Sequence, residues 1–183
     1  KRKAELKALQ AQISPHFLSN TLNTIKWLAN VQNAENIESI ITSLIQLLHA
    51  SIGKGGDYIS IREEIEYVKN YINIQEYRYF NKFKVLFEIE DHVMDCMIPK
   101  FLLQPVIENS LIHGIEPMEG QGMIAVKAFT YENSIKITIT DNGVGIPEDK
   151  QDMINKKLTS GSESHFSGIG IRNVHERIVM NYG

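Results

Sequence analysis

The hydrophobic period changes along the chain, and that change restricts the folds open to it. Through residues 1–52, Leu6, Leu9, Ile13, Phe17, Leu22, Ile25 and Leu28 recur at spacings mostly of three and four. After a polar stretch from Asn30 to Asn36, the same spacing returns in Ile37, Ile40, Ile41, Leu44, Ile45, Leu48 and Ile52. It lays an apolar stripe along each of two helices. Farther on the period is two: Val85, Phe87 and Ile89 in one run, then Met123 to Tyr131 and Ser134 to Asp141. Period two predicts half-buried strands, the last two paired antiparallel across Glu132-Asn133. The two periods together exclude a purely helical and a purely β fold. They predict an α+β chain, a helical hairpin followed by an α/β domain.

Other signals divide it further. Gly53, Gly55 and Gly56 break the helical pattern. Ser60 and Glu63 have the spacing of a capping box, and Ile61, Ile65, Val68, Ile72 and Tyr79 mark a third helix. Pro99 and Pro105 flank an apolar stretch leading into a helix through His113. A Ser- and Gly-rich segment, Thr159 to Gly170, leads to a last helix with Ile171, Val174 and Ile178 on its apolar face. The expected divisions are residues 1–58, a linker helix at 59–81, and an α/β domain at 82–183. Two helices cannot enclose a core alone, so a homodimer completing a four-helix bundle is expected.

Nineteen Lys+Arg against 22 Asp+Glu leave a formal charge of −3, too near neutral to argue for a nucleic-acid partner. The single cysteine, Cys96, excludes an internal disulfide and any multi-cysteine zinc site. No apolar run approaches the ~18 residues of a membrane span. The chain opens on Lys1-Arg2-Lys3 and reads as a soluble fragment of something longer. That basic cluster fits a solvated helix start or a segment just inside a membrane.

Four places carry candidate chemistry. Asp141-Asn142-Gly143-Val144-Gly145 ends a strand. It reads either as a plain Asn-Gly turn or as a carboxylate accepting from an exocyclic amine, with glycines admitting a flat ligand. Gly168-Ile169-Gly170 before a helix is either a flexible loop or a set of backbone N–H groups open to an anion. Glu108, Asn109 and His113 stand out from an otherwise apolar helix, as a polar face or as a site where a carboxamide oxygen meets Mg²⁺. Ser14-Pro15-His16 interrupts the first helix. An interior proline there costs on the order of 3 kcal/mol and frees the Ala11 carbonyl, and His16 is either a surface histidine or a nucleophile.

In this order the four resemble the catalytic core of bacterial sensor histidine kinases of the LytS/YesM type. Residues 13–23 match the phosphoacceptor box, 99–114 the N box, Asp141 to Ile146 the first glycine box and Gly168 to Ile178 the second. The resemblance covers nearly the whole chain. It implies a GHKL (Bergerat) α/β-sandwich ATP-binding domain, with Asp141 on adenine and Asn109 on Mg²⁺. His113, Gly143, Gly145, Gly168 and Gly170 would complete the nucleotide pocket, under a lid within residues 146–167. It implies that His16 receives the γ-phosphoryl group and passes it to a response regulator aspartate. Phe17 stands where commoner histidine kinases carry an acidic base, so no base is identifiable locally; Glu108 is either a base or a structural residue beside the metal ligand. Asn20 either positions water for the reverse dephosphorylation or orients the imidazole. The family continues beyond the last helix with a strand pair, so the sheet is expected to be incomplete after Tyr182-Gly183. The fragment would be the cytoplasmic portion of a sensor anchored in the membrane upstream of Lys1. The alternative is a non-catalytic, dimeric nucleotide-binding signalling module.

Overall fold

The computed structural model describes residues 15–52, 56–147, 151 and 169–183. The chain divides into two compact units, Lys1–Lys54 with Lys69–Ile74, and Gly55–Val68 with Gln75–Gly183.

In the first unit α1 (Pro15–Val31) and α2 (Glu35–Ile52) form the expected hairpin. Leu22 and Ala29 of α1 and Ile45 of α2 are buried along their stripes. The connection is shorter than the polar stretch suggested, because Asn30 and Glu35 are helical and only residues 32–34 turn. α1 ends in a Schellman arrangement. Ala34 N donates to Ala29 O and Asn33 N to Asn30 O, with Asn33 in the left-handed region at φ 53° that asparagine tolerates. Asn30 Nδ2 then donates to Glu38 Oε2 across the turn. The helix expected from Leu6 is described from Pro15 onward, so Leu6, Leu9, Ala11 and Ile13 lie outside the described residues.

The second unit opens with β1 (Tyr58–Ser60) and the start of α3 (Ile61–Arg78), whose Lys69–Ile74 stretch belongs to the first unit. The capping box is formed: Ser60 Oγ accepts from Glu63 N, and Ser60 N donates to Glu63 Oε2 at 2.9 Å. These bonds favour the ionised carboxylate and hold the Glu63 carboxyl below its ordinary range. β2 (Phe83–Ile89), β3 (Met97–Pro99), α4 (Leu103–Asn109), β4 (Gly122–Tyr131), β5 (Ser134–Asp141) and α5 (Ile169–Tyr182) follow.

The main sheet has the order β2-β4-β5. β4 and β5 pair antiparallel, from Ile124 opposite Asp141 to Tyr131 opposite Ser134, as the period-two pattern predicts. β2 lies parallel to β4, with Phe83 opposite Gly122 and Ile89 opposite Ala128. Parallel neighbours need a crossover connection, and this one contains β3 and α4. Phe83, Ile124, Val126 and Ala128 of the sheet are buried, as are Ile107, Leu111 and Ile115 of the crossover. Gly122 leaves room for Ile115, whose side chain would lie 2.5 Å from a Cβ there. A separate two-stranded ladder joins β1 to β3, Tyr58 opposite Pro99 and Ser60 opposite Met97. No helix among the described residues is long and apolar enough to cross a membrane.

The capping box yields a test. Ser60→Ala should lower stability by about 1 kcal/mol, the usual worth of an N-cap. That corresponds to a fall in Tm of roughly 2–4 °C for a chain of this size. Because the Glu63 pKa is lowered on folding, its contribution is present above the ordinary carboxyl range and fades as pH falls through the lowered value. Thermal melts of both proteins should therefore converge on acidification. A gap independent of pH would show that the box is not the source.

Candidate functional site

Asp141 is the last residue of β5, half-buried, and its Oδ1 accepts from Gly143 N at 3.0 Å. The loop beyond it is tied to β4 through Asn142, whose N donates to Met123 O and whose Oδ1 accepts from Met123 N at 2.6 Å. Gly145 takes φ +73°, a conformation that favours glycine. Gly143 is required for a different reason. A Cβ on it would lie 2.4 Å from the Gly114 Cα and carbonyl carbon, so the two backbones touch. Val144 N donates to Gly114 O across this contact at 3.0 Å. A Cβ on Gly114 would in turn lie 2.8 Å from Asp141 Oδ1. Gly143 was expected from sequence to admit a ligand; Gly114, which the expected site omitted, is what it meets here.

Gly114 belongs to the continuation of α4. After Asn109 the helix widens into a π turn over Ser110–Ile115, closed by Glu116 N donating to Leu111 O. Asn109 is half-buried at the junction, whereas Glu108 and His113 are exposed. Among the described residues no three His, Cys, Asp or Glu side chains gather into a cation site. A Mg²⁺ ion at Asn109 would therefore take one carboxamide oxygen and complete its shell with phosphate oxygens and water, a set that suits this ion. At the other end of α5's approach, a Cβ on Gly170 would lie 3.3 Å from Pro105 Cβ, so α5 packs closely on the start of α4. Gly168 and residues 148–150 and 152–167 of the expected lid lie outside the described residues.

The start of α4 is held by a residue not expected at the site. Glu64 of α3 is 0% exposed, and its Oε2 accepts from Phe101 N at 2.8 Å while Oε1 accepts from Leu103 N at 2.9 Å. Burial pushes its carboxyl up, against these backbone hydrogen bonds and the nearby Arg177 charge.

In the first unit His16 and Asn20 are exposed on α1, and Asn20 Nδ2 lies 3.3 Å from His16 Nδ1 in a hydrogen bond. One turn along, Ser19 Oγ lies 3.2 Å from Nε2 of His49 on α2, a second imidazole of the hairpin that spacing did not single out. Thr21 and Thr24 direct their hydroxyls to the Phe17 and Asn20 carbonyls.

Comparison with known proteins follows the same division. A family model described as histidine kinase matches residues 4–83. One described as histidine kinase-, DNA gyrase B-, and HSP90-like ATPase matches residues 98–183. Sensor histidine kinase YesM of Bacillus subtilis is 38% identical over 182 residues, covering 100% of this chain and 30% of its own length. Sensor protein LytS of Staphylococcus saprophyticus is 32% identical over 183 residues, covering 100% of this chain and 30% of its own length. The chain thus spans about 30% of the length of these curated relatives. The histidine kinase domain of the blue-light-activated kinase EL346 from Erythrobacter litoralis is similar with a TM-score of 0.46 at 14% identity, over 87% of this chain and 82% of that chain.

The glycine contact is directly testable. Gly143→Ala places a methyl against backbone that cannot yield by a rotamer change, and overpacking of this kind costs roughly 1–3 kcal/mol. Urea denaturation should register the loss, and Gly145→Ala, with open space around its Cβ, should be destabilised only through its positive φ. Wild-type stability in Gly143→Ala would show that the two backbones are not in contact.

Proposed function

The chain belongs to the sensor histidine kinase family, and we propose that it binds Mg·ATP in residues 82–183, phosphorylates His16 and passes the phosphoryl group to a response regulator aspartate. The observation that carries the nucleotide assignment is the joining of Asp141 to the Asn109 helix through the Gly143–Gly114 contact. A half-buried carboxylate at the end of a strand accepts from the adenine N6 amine, whereas guanine presents a carbonyl in that place. Asn109 offers its oxygen to Mg²⁺, with His113 and the glycines at 143, 145, 168 and 170 completing the nucleotide contacts. A metal held there would supply positive charge to offset that of the phosphates.

An imidazole nitrogen of His16 attacks the γ-phosphorus, the bond to ADP breaks, and the ring proton leaves to a base, for which Glu108 is the candidate. The hydrogen bond from Asn20 supports an orienting role toward His16 over water positioning. Trp27, Leu28 and Val31 of α1 are exposed at 63%, 46% and 57%, which supports a second copy completing a four-helix bundle.

With γ-labelled Mg·ATP the chain should acquire label that survives alkali and is lost in acid, as a phosphoramidate does. His16→Gln should remove the label while nucleotide binding persists; label retained in that variant overturns the assignment. Nucleotide binding without any label in the wild type would favour the non-catalytic signalling module. Asp141→Asn should weaken ATP binding by roughly 1.5–3 kcal/mol, the worth of a charge-assisted hydrogen bond, as calorimetry would read. GTP binding as tightly as ATP would contradict adenine recognition by Asp141. Asn20→Ala should slow labelling of His16 and leave regulator dephosphorylation unchanged if the carboxamide orients the ring; the opposite pattern assigns it to water.

A further inference from the structure

We propose that Glu64 is a positioning residue for Asn109, setting where α4 lies by clamping the backbone ahead of it. The inference rests on the reading of Asn109 as the Mg²⁺-coordinating residue.

Glu64 occupies a place in the apolar stripe of α3, three residues after Ile61 and four before Val68, both 0% exposed. A carboxylate in such a place is costly unless its oxygens are satisfied. Both are, and by the same short segment: Oε2 takes the N–H of Phe101 and Oε1 that of Leu103. Phe101 is itself held in the left-handed region at φ 57°, which a bulky residue rarely adopts. Such a conformation persists only when its surroundings over-determine it. Here three side chains do so. Glu64 holds the Phe101 N–H, Arg177 Nη1 of α5 donates to the Phe101 carbonyl at 3.5 Å, and the Tyr67 ring lies 4.6 Å from the Phe101 ring. Two residues later α4 begins.

Glu64 holds the segment that starts the helix, where Gly170 of α5 also packs on Pro105, and the Gly114–Gly143 contact holds its end, with Asn109 between them. Asp141 does not depend on the first of these. It stands on β5, and its loop is tied to β4 by Asn142. Releasing the Glu64 clamp lets α4 pivot on the glycine contact, which displaces Asn109 and leaves Asp141 in place. The metal-dependent part of nucleotide affinity then falls while the adenine-dependent part stays. A carboxylate that merely filled the core would lower stability and leave that division untouched.

Glu64→Gln preserves volume but presents an NH₂ to one of the two N–H groups. ADP is titrated by calorimetry into wild type, Glu64→Gln and Asn109→Ala, each with Mg²⁺ and with EDTA. The Mg²⁺-dependent gain in affinity should fall roughly tenfold in Glu64→Gln, toward that of Asn109→Ala, with affinity in EDTA unchanged. A full Mg²⁺ gain in folded Glu64→Gln, whatever its Tm, overturns the proposal. A second measurement needs no nucleotide. Amide exchange should quicken from Phe101 through Ile115 in Glu64→Gln and stay at wild-type rates in β4 and β5. Unchanged protection of α4 overturns the clamp, and so does a uniform loss across the sheet. If wild type binds no ADP, the nucleotide reading fails by itself and the exchange experiment still decides whether Glu64 positions α4.

Discussion

Two glycines in van der Waals contact tie the second unit's helix to its sheet. The Gly114 carbonyl lies in the last turn of a helical segment, where carbonyls have no partner within the helix. Val144 N–H supplies one from the loop after β5. That hydrogen bond brings the loop so near that a Cβ on Gly143 would lie 2.4 Å from the Gly114 backbone, while a Cβ on Gly114 would lie 2.8 Å from Asp141 Oδ1. A side chain at Gly143 would separate the end of this helical segment from the end of the strand that carries Asp141. It would also take this partner from the carbonyl of buried Gly114, a cost comparable to a lost hydrogen bond.

Adjacent glutamates on α3 show how placement on one helical turn sets opposite electrostatics. Glu63 faces solvent, and hydrogen bonds from Ser60 lower its pKa. Glu64 faces the core, and burial raises its pKa. The signs under linkage are opposite. The Glu63 contribution to stability is present above the ordinary carboxyl range and is lost on acidification. The Glu64 contribution is fullest below that range and declines as pH rises through its raised value. Ionised Glu64 is tolerated because two backbone N–H groups and the Arg177 charge offset part of its desolvation, so the cost falls at a point where it holds Phe101 in place.

Local features were legible and non-local ones were not. The β4–β5 hairpin, the capping box and the stripes of α1 and α2 follow from residues within a few positions of one another. The parallel β2–β4 pairing joins strands separated by a crossover, and neither strand's pattern names its neighbour. The β1–β3 ladder has three residues a side, too few for a period to register. Among the candidate residues, His16 was singled out beside a helix-interrupting proline, Asn109 on a largely apolar helix and Asp141 at the end of a strand. Gly114 was passed over as the end of a motif, since a close approach between backbones leaves no pattern in either segment. Glu64 is one of three consecutive charges, Arg62-Glu63-Glu64, and was not singled out from sequence. Its register with Ile61, Ile65 and Val68 was the available signal, and it marks a charge on the buried side of an amphipathic helix.

The two residues proposed to meet nucleotide are therefore positioned by different means. Asp141 inherits its place from the sheet, because β5 pairs with β4 along its length and Asn142 continues that pairing by one more residue through its side chain. Asn109 inherits its place from a helix, and the sheet reaches that helix through Ile115 over Gly122 and through the paired glycines. A small rotation of α4 about that end changes the separation of Asn109 from Asp141 without breaking any strand pairing. Under the proposed nucleotide reading, the base contact and the metal contact would then be set independently, provided that something fixes the helix's other end. In this chain that end begins two residues after a phenylalanine in the left-handed region, held by a buried carboxylate, a guanidinium and an aromatic ring.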